Sequence, residues 1–422
     1  MFNPLPVALN DLKRSRGGAA AIVLLVAMAV ALGVAVSAQE RALRQGSADA
    51  ADAFDIIVGA PGSETQLVLT AVYLQPADLD LIDGAILADL ADDEGVVFAA
   101  PLGFGDSWQG HPIVGTTDRF VRHLAGGALA HGTGFARPGD TVVGADVPLA
   151  VGAEIVPMHG QIVLDEEDEA HHGVALRVTG VLPPLGTPWD RALLVPIETV
   201  WAAHGLPTGR APGEAEIERL LTGDGHAEPG EGVTLGPPWD RALLPGVPAI
   251  VIEPASVADA YELRQRYRSN DRTIAVFPAE VLIRLYGVLG DVRDLLAWIS
   301  ILTQVLVIAA VLLAIVASMA QKRRLVGVLR ALGASRGYVF AVAWIGISLL
   351  IVCGAALGLA LGWAAAAGLS AVLEAETAMR LPVALGWQEA RLVLVIAVIG
   401  LVLAAVPSML LYRQPVAAAL KG

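Results

Sequence analysis

The stretch KRRLVGVLRALGASRG, residues 322–337, is a basic segment set between two long apolar runs, and its reading decides the fold. On its N-terminal side Leu295 to Gln321 contains no Asp, Glu, Lys or Arg, and on its C-terminal side neither does Gly337 to Leu373. Two further runs of this kind, Gly17 to Gln39 and Leu392 to Tyr412, lie towards the two ends of the chain. Each is long enough to cross a hydrocarbon core of ~30 Å, which takes roughly 20 helical residues. The composition agrees, since 55% of the 422 residues are hydrophobic and only 17% are charged, a balance foreign to soluble domains.

The charges outside the runs set the orientation, because short loops rich in Lys and Arg stay in the cytoplasm. Lys13, Arg14 and Arg16 precede the first run, Lys322, Arg323, Arg324, Arg330 and Arg336 separate the second and third, and Arg413 and Lys421 follow the fourth. Between Gln39 and Asp294 there are 38 acidic and 16 basic residues, a net charge of -22, against +8 for the rest and -14 for the whole chain. The expected fold class is therefore membrane α-helical, with four transmembrane helices and a large α+β extracytoplasmic domain between helices 1 and 2. The first run also resembles a signal peptide, with Val36-Ser37-Ala38 before Gln39, but its apolar stretch is longer than such signals use.

The expected organisation is a cytoplasmic amphipathic N-terminus (1–16), a first span (17–38), the extracytoplasmic domain (39–277) and a stalk helix (278–294). A second span (295–320), a cytoplasmic loop (321–337), a third span (338–367), an outer loop (368–390), a fourth span (391–412) and a cytoplasmic tail (413–422) complete it. For residues 1–16 a solvated tail is the competing reading. Strands are expected in FDIIVGA, TQLVLTAVYL, GVVFAAPLG, HPIVGTT, DTVVGADV, VALRVTGVL, RALLVPI, PAIVIEP and RTIAVFPA, and helices over Pro76–Leu90 and Ser256–Arg268. LGTPWDRALL (185–194) recurs as LGPPWDRALL (235–244), a local duplication flanking a polar linker, Thr208 to Gly232. The lone cysteine, Cys353, falls in the third run, so the outer domain contains no disulfide.

Catalytic signatures are absent. A Walker A loop needs Lys after Gly, whereas the three lysines follow Leu12, Gln321 and Leu420. GASRG (333–337) fits GxSxG, but that motif needs a strand before it and a helix after it, and here it closes a cytoplasmic loop. The chain is accordingly expected not to be an enzyme. No charged residue interrupts any run, which argues against a proton relay or ion path. Gly354, Gly358 and Gly362 form a GxxxGxxxG row suited to close helix contact, either within the subunit or across a dimer. In DEEDEAHHG (165–173), His171 and His172 with Asp168, Glu169 and the upstream His159 offer zinc-type ligands. The plainer reading is a solvated acidic loop, since adjacent histidines do not easily bind one ion.

In the loop, Leu325, Val328, Leu329 and Leu332 fall at helical spacing and Gly333 stands where a helix would end. Such a short amphipathic helix can dock into a partner's groove or lie on anionic lipid. A basic stretch followed by GVLRALGAS and a Gly-rich span resembles the FtsX-like permease domain of the macrolide-exporter (MacB-like) and lipoprotein-exporter ABC transporters. VTGVLPPLGTPWDRALLVPIETVW (178–201) is similar to the end of that family's periplasmic core domain. The resemblance implies that Gly327, Val328, Leu329, Arg330, Ala331, Leu332, Gly333 and Ala334 form a coupling helix on a separate cytoplasmic ABC ATPase. Leu325 stands where the family often has Glu. It further implies a homodimer in the inner membrane, both termini cytoplasmic, with ATP and Mg bound only by the partner ATPase. Movement of the outer domain would act on a substrate the sequence does not identify. An extracytoplasmic protein partner and membrane lipid are expected contacts, and nucleic acid is not. The alternative is an ATP-independent membrane-anchored scaffold or sensor with a ligand-binding outer domain.

Overall fold

The computed structural model describes residues 3–159, 175–210, 235–268, 271–287 and 333–405, with single helical positions at 298, 302, 305, 309, 330 and 409. In chain order the helices are α1 (Leu5–Arg14), α2 (Arg16–Ala51), α3 (Glu64–Tyr73), α4 (Gly84–Ala91), α5 (Asp118–Leu124), α6 (Ile197–Ala203), α7 (Val257–Arg268), α8 (Arg336–Thr377) and α9 (Trp387–Leu403). The strands are β1 (Ile56–Gly59), β2 (Val96–Trp108), β3 (His111–Thr116), β4 (His131–Gly132), β5 (Asp140–Val143), β6 (Glu154–Ile155), β7 (Met158–His159), β8 (Leu176–Val181), β9 (Leu193–Pro196), β10 (Ala249–Pro254) and β11 (Ile274–Val276). Two compact units result, one of residues 1–45, 289–373 and 381–422, the other of 46–288 and 374–380.

Among the described residues two helices, α2 and α8, are long and apolar enough to cross a membrane. They cover the first and third expected spans and run past them, α2 to Ala51 and α8 to Thr377. The second expected span, the stalk beyond residue 287 and the end of the fourth span lie outside the described residues apart from the single positions named above. Within the first unit, Ile22, Val26, Val30 and Val34 recur every four residues along α2 and pack with Ile347, Leu350, Ile351 and Ala355 of α8. A four-residue repeat keeps one stripe facing the neighbour.

The second unit is α+β. Its main sheet runs β11-β1-β10-β2-β3-β9-β5-β8-β4, with β6 on β8 and β7 on β2. The long strand β2 joins two halves: residues 96–102 pair with β10, and from Gly103 to Trp108 the strand pairs with β3, with a register shift between Gly103 and Asp106. β3 and β9 are parallel, Ile113 opposite Leu193, so the chain must cross over between them. α6 leaves the end of β9 and lies on β2 and β3. It can do so because a Cβ at Gly103 or Gly115 would meet Ile197 Cδ1 at 2.7 or 2.9 Å. An aromatic nucleus of Phe54, Phe120 and Trp189, with centroids 5.5–5.8 Å apart, is closed by Trp189 Nε1 donating to the Val72 carbonyl at 3.0 Å.

Two segments depart from the expected elements. TQLVLTAVYL forms α3 rather than a strand: Ser63 Oγ caps it by accepting from Gln66 N, and Leu67, Val68, Ala71 and Val72 are buried on it. The cap and the buried face outweigh the β preference of its Thr and Val residues. The helix expected over Pro76–Leu90 forms only from Gly84, capped by Asp83, because Ile82 is held extended in a bridge to Val247.

Candidate functional site

Around the basic loop the structure describes Arg330 as helical and Gly333 at φ +90°, with Gly333 N donating to the Arg330 carbonyl. A left-handed φ favours glycine. Ala334 and Ser335 lead into α8, and Ser335 Oγ accepts from Tyr338 N at its start. Gly327, Val328, Leu329, Ala331 and Leu332 lie outside the described residues.

The glycine row packs within the subunit. A Cβ at Gly354 would meet Val26 Cβ at 2.7 Å, at Gly358 the Ala27 carbonyl oxygen at 2.6 Å, and at Gly362 the Ala31 carbonyl oxygen at 2.6 Å. α2 and α8 therefore approach backbone to backbone. Near the start of α9, Glu389 is fully buried and accepts from Arg41 Nη1 at 2.7 Å on both oxygens, from Ser37 Oγ at 2.8 Å and from Gly386 N at 2.8 Å. Arg41 also donates to the Ala384 carbonyl. Every lone pair of the buried carboxylate is thus addressed, and loss of the Arg41 cation, which would strand a buried charge, is expected to cost about 3–5 kcal/mol.

The two copies of the decapeptide do different things. In the first, residues Pro188–Arg191 form a 3-10 turn and Asp190 accepts from Leu185 N at 2.8 Å and Gly186 N at 2.6 Å. Burial pushes the Asp190 carboxyl above its usual range, against those backbone hydrogen bonds. Arg191 then reaches the last turn of α8, donating to the carbonyls of Glu376 at 2.9 Å and Ala375 at 2.5 Å, while Gly186 O accepts from Arg380 N at 2.8 Å. A cation on the open carbonyls of a helix C-terminus satisfies them and complements the dipole. In the second copy Arg241 pairs instead with Asp89, and Trp239 Nε1 donates to Glu198 at 2.9 Å. Glu198 is 1% exposed, also accepts from Gly236 N at 2.8 Å, and burial raises its pKa.

Of the zinc-type residues, Asp168, Glu169, His171 and His172 lie outside the described residues. The backbone of His159 is placed on β7, directly across from Asp106 of β2. Among the described residues no group of three or more His, Cys, Asp and Glu converges to hold a metal. A pair that sequence reasoning missed does meet: His204 Nε2 stands 3.9 Å from Asp106 Oδ1. The two are 98 positions apart, and only the seating of α6 on β2 brings them together. Asp106 and Ser107 also line a half-open cleft of about 880 Å³ with Thr70, Leu74, Phe104 and Ile113.

Residues 297–416 match the model of the family described as FtsX-like permease C-terminal. Over those residues the chain is similar to FtsX-like permeases. The match takes in α8, α9 and the basic segment 322–337, and within it the described residues are 333–405 with the single positions. Among solved structures, the periplasmic region of MacB from Actinobacillus actinomycetemcomitans aligns with a TM-score of 0.32 at 9% identity, covering 55% of this chain and 92% of that one. No curated protein matches in sequence.

Proposed function

We propose that this chain is the permease subunit of an ABC transporter that passes the movement of a cytoplasmic ATPase to its extracytoplasmic domain. The observation that carries the reading is the FtsX-like match over 297–416, which contains the whole of GVLRALGAS. In this reading Gly327 to Ala334 seat on the ATPase, α8 transmits the displacement, and Arg191 with Gly186 receives it at Ala375, Glu376 and Arg380. ATP and Mg belong to the partner, the permease works as a homodimer in the inner membrane, and the outer domain changes its hold on a substrate. Replacing Leu329 and Leu332 with Asp turns the apolar face of the loop into a charged one. The double variant is expected to reach the membrane at wild-type levels and to lose co-purification of the ATPase. Undiminished co-purification would remove the coupling-helix assignment.

A further inference from the structure

His123 stands on α5 with both ring nitrogens facing electron-rich partners. Its Nε2 lies 3.1 Å from the Ala53 carbonyl oxygen and its Nδ1 lies 3.2 Å from a Glu253 carboxylate oxygen on β10. A carbonyl and a carboxylate only accept, and a neutral imidazole has a single N–H. In the neutral ring, whichever nitrogen lacks the proton turns its electron pair on an oxygen in contact with it. The imidazolium has an N–H for each. Phe98 of β2, steeply inclined with its centroid 5.2 Å away, and Phe120, stacked at 6.4 Å, hold the plane of the ring. Glu253 comes from β10, Asp52 and Asp55 from the segment before β1, and α5 itself carries Asp118, Arg119 and Arg122. Arg122 pairs with Asp118, and the Arg119 guanidinium lies over Phe98, 6.0 Å from its centroid. The Asp55 carboxyl is held above its usual range, first by burial and then by the Glu253 charge, and His123 opposes both. The His123 side chain is 28% exposed, so solvent can deliver its proton and take it away.

Ala53 lies in the link, residues 52–55, that joins α2, ending at Ala51, to β1, starting at Ile56. Phe54 of the same link packs against Phe120 and Trp189. We infer that His123 is a proton-operated latch: as the imidazolium it ties this link to α5 and β10, and on losing its proton it lets the link go. The carboxylate is the stronger acceptor, so the one N–H of the neutral ring goes to Glu253 and Ala53 is released. The closed state is the one that binds the proton, so raising the pH opens it. Imidazole is the side chain whose ordinary range spans about pH 5 to pH 8, where such a latch can work. Under the permease reading, on which its mechanical sense rests, the proton would set how firmly the chain leaving α2 is tied to the outer domain. The latch itself is measured without the ATPase.

The test follows hydrogen exchange of the full chain in detergent at about pH 5.5 and about pH 8, each corrected for the intrinsic rate of an unprotected chain. In wild type, peptides spanning 52–56 are expected to lose protection roughly fivefold at the higher pH, as the loss of one charge-assisted hydrogen bond at a partly exposed place implies, with β9 unchanged. His123→Phe keeps a ring between Phe98 and Phe120 but has no N–H, and should leave the link at its open level at both pH values. Glu253→Gln offers Nδ1 a donor in place of an anion. The neutral ring then serves both sides, and the link should stay protected at both pH values. Equal protection of the wild-type link at the two pH values overturns the latch, even if neither variant folds. A pH dependence that survives His123→Phe overturns it as well and passes the titration to Asp55. With no ATPase in the experiment, failure of the latch leaves the coupling assignment standing, and failure of that assignment leaves the latch standing.

Discussion

Arg191 and Arg241 hold the same place in two copies of one decapeptide, yet the first binds carbonyls of α8 and the second an aspartate on α4. Local sequence cannot distinguish them, because the difference lies in what each meets: the 374–380 segment beside one, and Asp89 beside the other. Arg191→Ala is expected to leave the second unit folded while releasing the end of α8. Arg191 makes, from a charged group, two of the hydrogen bonds that anchor that end, worth about 1–2 kcal/mol at a partly exposed place. Hydrogen exchange read peptide by peptide checks this: amides of 374–380 should exchange roughly tenfold faster, with β9 and β5 unchanged. Uniform exchange across the unit would mean that Arg191 supports the fold as a whole.

At the scale of elements, the contact between α2 and α8 depends on three glycines that leave no room for a side chain. Gly358→Leu places carbon where the Ala27 carbonyl and Val30 already stand, and should cost at least about 1–3 kcal/mol as overpacking. Gly368 lies on the same helix with nothing within 4 Å among the described residues, so Gly368→Leu should be nearly neutral. Thermal melting of the two variants in one detergent compares them, and equal melting points would contradict the packing. Much at this scale was legible in the sequence: the apolar runs under α2 and α8, and the strands in PAIVIEP, VALRVTG and HPIVGT, all have uninterrupted periods. What was not legible followed from tertiary partners. α3 looks like a strand until its cap and buried face are seen, and Ile82 looks helical until Val247 pairs with it. Asp106 and His204 gave no signal, because the seating of α6 on β2 creates their proximity.

Across the whole molecule the acidic residues gather in the second unit, and some of them are buried at a cost. Asp55, Asp190 and Glu198 all have pKa values raised above the carboxylate range, with burial the first cause in each. A raised folded-state pKa means that the folded form holds its proton more tightly than the unfolded chain does. The resulting stability is fully present below the unfolded value, near 4, and is lost as pH rises through the folded one. Ionisation of these groups therefore destabilises the unit at neutral pH. Glu198→Gln keeps an oxygen for Gly236 N and Trp239 Nε1 and has no charge to bury. Relative to wild type it should melt higher at pH 7 and show a flatter change between pH 7 and pH 5. Tryptophan fluorescence can follow it, since Trp239 and Trp201 lie 6.3 Å apart beside the substituted group. A parallel pair of pH profiles would show that the Glu198 charge costs nothing.

α8 is 42 residues in one piece, about 60 Å at ~1.5 Å per residue. Such a rod barely stretches, because its hydrogen bonds run along the axis, and it also keeps angular phase from end to end. Successive carbonyls point about 100° apart around it, so the pair that Arg191 grips is fixed by azimuth as well as by height. A twist of one residue's worth applied at Arg336 would turn the Glu376 carbonyl out of the guanidinium's reach without lengthening or shortening anything. Under the proposed function, such a helix would act as a drive shaft as well as a piston.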